Sequence, residues 1–358
     1  MLCYVDDALP GITRKRRGRY WAWFGPDGER INDRAEIDRL NAIGMPPAYE
    51  RCWFCPNPDG HIQAIGYDAR GRRQYRYHPE YRAWRDSRKY ERLADFGRAL
   101  PKLRRRVEQD IAGRPTSCEA VIAAVVRLID TTYMRVGNEE YARDNKSFGA
   151  TTLRNRHVRI RGGTVRICYS GKHGLKRTVT VTDRYVARIA RRMQDLPGQQ
   201  LFAFIGGDGE VRPVTSTDVN AYIREAAGGE FTAKDFRTWG ASVIAFEEMV
   251  RRSRASRRMK LKTVIEPVAE ALGNTPAISR KSYIHPALLE AAQNGGSESP
   301  ASLPRATRYL SRGERGLIDF LESLPADRSK PAIRPRTAKK GKRSRRAQTK
   351  SPVVAAQL

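Results

Sequence analysis

The sequence predicts an α+β protein in three parts. Residues 1–90 read as a small β-containing N-terminal domain, 91–296 as a mainly helical domain carrying a β-hairpin, and 297–358 as a basic, largely disordered tail with a weak helix. Three observations carry this reading. Aromatic and β-branched residues come in short runs before residue 90. Apolar residues recur at threes and fours after it. From Lys330 to Leu358 there are ten Lys and Arg and no Asp or Glu, a composition that cannot bury enough apolar surface to fold alone.

In the first part, RYWAWFG and AYERCWFCPNPDGHIQAIGYDARGRRQYRYHP are β-like runs broken by Pro, Asp-Gly and Arg-Gly pairs. Asp59-Gly60 predicts a hairpin turn. ERINDRAEIDRLNAIG predicts a short helix between the runs. In the second part, YERLADFGRALPKLRRRVEQDI is amphipathic, with Pro101 expected to break it. SCEAVIAAVVRLIDTTYMR predicts a helix capped by Ser117. Val165 to Tyr169 and Lys176 to Val181 alternate around a Gly-bounded turn, a hairpin. TAKDFRTWGASVIAFEEMV opens with Thr232 and Asp235, an acidic capping box, and continues as one apolar face. VIEPVAEALG is a helix stopped by Gly273. Thr275-Pro276 then starts another, with Tyr283 expected about two turns in. The stretch from Tyr90 to Arg104 is the expected hinge between the domains.

The chain has 358 residues and a formal net charge of +29. Ten of those charges lie in the tail, so the folded part is strongly basic in its own right. Such an excess attracts polyanions, and nucleic acid leads because cations on phosphates release condensed counterions. No long amphipathic basic helix supports a membrane surface, and no apolar run is long enough to span one. The start lacks a signal peptide's apolar core. Five cysteines, an odd number in a long chain, read as free thiols in a reducing compartment. Cys52 and Cys55 form a lone CxxC, which predicts buried thiols and no metal. The five histidines, His173 and His285 among them, do not cluster with acids as ligands would. His285 reads as a local cap or phosphate contact.

If a tyrosine attacks a phosphodiester, the chemistry makes definite demands. The energy of the broken bond is kept in a phosphotyrosine ester. Negative charge spreads over the non-bridging oxygens, which suits arginine forks. The leaving sugar oxygen needs a positioned proton donor. The sequence holds Arg135 in YMRVGN, Lys172 in YSGKHG, Arg237 in KDFRTWG, and Asn274 and Tyr283 in GNTPAISRKSY.

In this order and spacing the set resembles the type IB DNA topoisomerases of the bacterial, poxvirus-like group, over roughly residues 10 to 295. GHIQAIGYDARGRRQYRYHP is similar to the part of that family's N-terminal domain that lies on DNA. The resemblance implies a catalytic domain of the tyrosine recombinase/topoisomerase IB type. It implies Tyr283 as the nucleophile, leaving a 3′-phosphotyrosyl bond and a free 5′-hydroxyl. Arg135 and Arg237 would hold the non-bridging oxygens, and Lys172 would protonate the leaving oxygen. Gln74, Tyr75 and Tyr77 match DNA contacts, with Tyr75 and Tyr77 on one strand face; Tyr141 and Lys234 match further ones. The family usually has His where this chain has Asn274, so that contact is expected to keep a hydrogen bond without positive charge. The expected partner is duplex DNA, clamped by a monomer that relaxes supercoils without ATP, metal or other cofactor, in the cytoplasm and on the nucleoid. A tyrosine recombinase is the nearest alternative, but the position three before Arg237, normally His there, is Lys234 here. An architectural DNA-binding protein would explain the charge and not the ordered residue set.

Overall fold

In the computed structural model of the chain, the described residues are 2–255, 259–295 and 302–325, apart from the side chains of Asp86, Ser87 and His173. The remainder of the basic tail, 326–358, lies outside them. Two compact units divide the described chain, residues 2–88 and 89–325.

The aromatic runs of the first unit pair as antiparallel strands. β1 (Thr13–Arg17) pairs with β2 (Tyr20–Phe24) around Gly18, whose φ of +60° suits glycine. α1 (Arg34–Ala42) follows, capped by Asp33. β3 (Glu50–Phe54), β4 (Ile62–Tyr67) and β5 (Arg73–Tyr77) form a second sheet in that order. The Asp59-Gly60 pair closes a turn from Asn57 to Gly60 inside a longer connection between β3 and β4. Ile12, Trp23, Leu40, Met45, Cys52, Phe54 and Ala64 make the small core of this unit. Cys52 and Cys55 are buried free thiols, and burial raises the pKa of both. α2 (Pro79–Glu91) leads out.

In the second unit, α3 (Leu93–Ile111) runs unbroken through Pro101, so the expected break there is corrected. Proline in a helix costs roughly 3 kcal/mol. Against this, Leu93, Phe96, Leu100, Leu103, Val107 and Ile111 are buried along one face, each contributing about 1.5–3 kcal/mol. For the same reason Leu93 to Arg104 is no hinge; the helical run is interrupted at Arg92, with φ −87° and ψ 1°. α4 (Cys118–Thr132) is buried along most of its length, capped by Ser117 and ended by Tyr133 in the left-handed conformation. After α5 (Glu139–Asn145), β6 (Val158–Arg161), β7 (Thr164–Ser170) and β8 (Lys176–Thr182) form an antiparallel sheet. The expected hairpin is β7–β8; the short β6 joins its edge. α6 (Arg184–Gln194), β9 (Ala203–Ile205), β10 (Val211–Pro213) and α7 (Ser216–Ala227) complete the middle of the unit.

The long helix α8 (Ala233–Arg254) opens with the expected Thr232–Asp235 box, Thr232 N donating to Asp235 Oδ2 at 2.7 Å. α9 (Leu261–Leu272) stops at Gly273, φ +59°. α10 (Pro276–Ser282) starts on the Thr275 cap and α11 (Pro286–Gln293) on the side chain of His285, whose Nδ1 accepts from Ala287 N. No helix among the described residues is long and apolar enough to cross a membrane.

The weak helix read within the tail segment is α12 (Arg312–Ser323), packed against α3 and α8. It buries Leu317, Ile318 and Phe320 in the main core. Its Glu314 accepts from both Nη1 and Nη2 of Arg104, and from Trp239 Nε1 at 3.0 Å. Arg104 also forks Asp130 through Nε and Nη2, both at 2.8 Å. Burial would raise the Glu314 carboxyl, but Arg104, the Ser311 N–H and Trp239 outweigh it and hold it below its ordinary value. Removing one partner of a buried pair leaves an uncompensated charge. Glu314→Ala is expected to cost about 3–5 kcal/mol, read as a lower midpoint in urea unfolding; a change under ~1 kcal/mol would contradict this account of the network.

Candidate active site

Arg237 is only 4% exposed, inside the apolar face of α8. A buried guanidinium must have its donors met. Nη1 donates to the carbonyl of Tyr133 and Nη2 to that of Leu272 at 3.1 Å. These are end carbonyls of α4 and α9, which have no partner within their own helices. They are also the negative ends of the helix dipoles. Burial, and next the charge of Arg135, lower the pKa of Arg237, while Tyr283 and Tyr169 oppose this. Its Nε is buried without a hydrogen-bond partner.

Tyr283 follows the Thr275 cap by about two turns, as expected, but α10 ends there: the tyrosine is its cap residue, φ −134° and ψ −35°. The helix cannot continue because Pro286 disfavours helical backbone at His285. The tyrosine ring lies 5.0 Å from the Arg237 guanidinium carbon. Ser242 of α8, fully buried, fixes the backbone here: its Oγ donates to Tyr283 O at 3.5 Å and accepts from His285 N at 3.1 Å. Burial alone would raise the phenol's pKa. Arg237, then Arg135 and Lys234, outweigh it and hold the phenol below its ordinary value.

Arg135 lies two residues beyond Tyr133, the cap of α4, and Asn274 two beyond Leu272, the last residue of α9. Their side chains meet, Arg135 Nη2 donating to Asn274 Oδ1 at 2.9 Å. An arginine has no acceptor, so the amide must offer it oxygen. The Asn274 nitrogen is then turned away, and it is buried without a partner. Arg135 is fixed by its backbone: its carbonyl accepts from Ala150 N at 2.8 Å, and that of Val136 from Thr151 N at 2.7 Å. Glycine is required on both sides of this contact. Gly137 has φ +105°, and a Cβ on Gly149 would stand 2.5 Å from Arg135 O.

Lys172 is exposed in the tight turn Lys172–Gly174 between β7 and β8. A cleft is lined by Arg135, Lys172, Arg237, Tyr169, Arg177 and Gly273, among others. Asn274 and Tyr283 are not part of that lining; they join the group through Arg135 and Arg237. The sequence reading missed Ser242, Tyr169 and Arg177. The alternation of β8 held a signal for the last, since Arg177 falls on the inward positions with Val179 and Val181.

Of the residues matched to DNA contacts, Lys234 is exposed in the first turn of α8 and acts electrostatically on Tyr283. Tyr141 is exposed on α5. In the first unit, the Tyr75 and Tyr77 rings stack on one face of β5, centroids 5.8 Å apart and 10° from parallel. Gln74 points the other way and donates to Asp68 Oδ2 at 3.1 Å. No group of three or more His, Cys, Asp or Glu among the described residues is arranged to hold a metal ion.

Comparison with known proteins identifies the family. Residues 78–307 match the family model for the catalytic core of eukaryotic DNA topoisomerase I, and residues 20–68 that for the N-terminal domain of bacterial DNA topoisomerase IB. DNA topoisomerase 1B of Acanthamoeba polyphaga mimivirus is 33% identical over 297 residues, covering 80% of this chain and 88% of the relative. DNA topoisomerase 1B of vaccinia virus (strain Copenhagen) is 21% identical over 254 residues, 69% of this chain and 77% of the relative. A solved XerH site-specific recombinase bound to palindromic difH substrate matches 51% of this chain and 47% of its own at 18% identity, with a TM-score of 0.34, too low to add to the assignment. The chain belongs to the type IB DNA topoisomerase family. The α+β architecture, with its helical second unit, is the one that family membership entails.

The electrostatics give a direct prediction. Lys234→Met removes one of the cations that lower the Tyr283 phenol, so its titration should move to higher pH. Tyrosine ring-carbon NMR, with Tyr283→Phe to assign the signal, measures this. An unmoved titration would refute the charge assignment.

Proposed function

We propose that this topoisomerase relaxes supercoiled duplex DNA through a 3′-phosphotyrosyl intermediate formed by Tyr283. The observation that carries the reading is the buried Arg237. It is fixed by two helix ends, lies against Tyr283, and keeps its buried Nε–H without an acceptor. A guanidinium held this way needs no reorganisation as charge develops on a phosphate.

In the cleavage step the Tyr283 oxygen attacks phosphorus and the phosphorus–O5′ bond breaks. Lys172 gives a proton to the departing O5′, and the phenol's proton leaves to solvent. The depressed phenol raises the phenolate fraction at neutral pH. Arg237 and Arg135 stabilise the non-bridging oxygens, and the Asn274 N–H donates to one of them. Asn274 thus supplies the hydrogen bond of the family's usual His without its charge, while its oxygen orients Arg135. One phosphate ester replaces another, so no nucleotide is needed to restore the bond. The free 5′ end turns about the intact strand until Lys172 takes back its proton and O5′ displaces the tyrosine.

The N-terminal unit would hold the duplex through Gln74, Tyr75 and Tyr77, with Tyr141 and Lys234 contacting it from the catalytic unit. The protein would act as a monomer, without ATP or metal, on the nucleoid in the cytoplasm. The expected test result is relaxation of supercoiled plasmid in EDTA without ATP, with a denaturant-stable DNA adduct that Tyr283→Phe abolishes. Inert plasmid with site-dependent strand exchange would point to a recombinase. DNA binding without any adduct would point to an architectural role. Arg237→Ala should slow cleavage about 10²–10³-fold in single-turnover assays, and Asn274→His should keep relaxation activity. Complete loss in a folded Asn274→His variant would refute the role given to Asn274.

A further inference from the structure

We infer that Arg177 is a positioning residue that latches the Lys172 turn to the end of α9. The inference rests on the reading of Lys172 as the proton donor. Arg177 is the charged residue among the inward positions of β8, where Lys176, Thr178, Thr180 and Thr182 face outward. Its Nη1 donates to Glu270 O at 3.2 Å and Nη2 to Ala271 O at 3.0 Å. The fork thus occupies the two end carbonyls just before Leu272, the one that takes Arg237. A fork fits two carbonyls where an ammonium would meet one.

The residue beyond that end is Gly273, and here side-chain space matters as well as φ. A Cβ on Gly273 would stand 2.0 Å from Arg177 Nη1. The glycine leaves room for the guanidinium directly beside Asn274. At the other end of the turn, Gly171 N donates to Leu175 O at 2.8 Å, and Gly171 O accepts from Ser147 Oγ at 3.1 Å. The turn carrying Lys172 is therefore closed on itself, and Arg177, two residues past its closure, ties β8 to the helix end that carries Asn274. Lys172 has an exposed, flexible side chain; what Arg177 sets is where its backbone stands relative to the phosphate site.

The test compares cleavage of two duplexes that carry a mapped cleavage site. One has the normal O5′ at the scissile phosphate and the other has sulfur there. A thiolate leaves without a proton, so sulfur bypasses the proton donor alone. Arg177→Ala should slow the oxygen substrate about 10²-fold, the scale of a misplaced group, and leave the sulfur substrate nearly unchanged. Arg177→Lys should fall between. In a Lys172→Ala background, Arg177→Ala should cost nothing further. Equal slowing of both substrates, or an additive double mutant, would overturn the latch. A smaller salt slope of DNA binding in Arg177→Ala would make it a phosphate contact instead. If Lys172→Ala itself shows no rescue by sulfur, the reading of Lys172 fails, and that result is separate from a rescued Lys172→Ala beside an unrescued Arg177→Ala. A thermal melt of Arg177→Lys and Arg177→Ala checks that both are folded.

Discussion

The site depends on one buried guanidinium. Taking an arginine out of water costs several kcal/mol even after relaxation, and Arg237 offsets that on the carbonyls of Tyr133 and Leu272. Those carbonyls belong to helices 139 residues apart in sequence at the point where their extensions meet. Holding both ends at one guanidinium fixes α4, α8 and α9 relative to one another. Two residues past each end, Arg135 and Asn274 are then brought into hydrogen-bond contact. Arg177 repeats the device on the same end of α9, so two forks satisfy the last carbonyls of one helix.

α8 serves two sides of the domain. Arg237 and Ser242 face the cleft and the Tyr283 turn. Trp239, two residues after Arg237, donates instead to Glu314 of α12. The ion network of Arg104, Asp130 and Glu314 thereby stiffens the helix on which the site is built, from the face opposite the chemistry. A catalytic guanidinium gains from such support, because its alignment before reaction is what lowers the barrier.

Charge acts at two ranges in this molecule. The overall excess draws a polyanion to the surface and is screened by salt. Inside the cleft, Arg237 and Arg135 act at close range and with little screening, strongly enough to bring the Tyr283 phenol down against its own burial. The same cations that depress the phenol are placed to meet the phosphate it would attack.

What the sequence determined by itself was local. The Ser117, Thr232–Asp235 and Thr275-Pro276 caps, the Gly273 stop, the β7–β8 hairpin and the stacked faces of Tyr75 and Tyr77 all follow from neighbours within a few residues. The order of Arg135, Lys172, Arg237, Asn274 and Tyr283 was legible too, as a pattern of residue types. Tertiary contacts decided the rest. Burial of one face carried α3 through Pro101, and buried partners turned the weak helix after the linker into α12. The end of α10 put Tyr283 on a turn, and Ser242, 41 residues earlier, pinned it there. Arg177 and Arg237 read in sequence as two arginines among many. Only the folding together of distant helix ends supplied the end carbonyls that hold them.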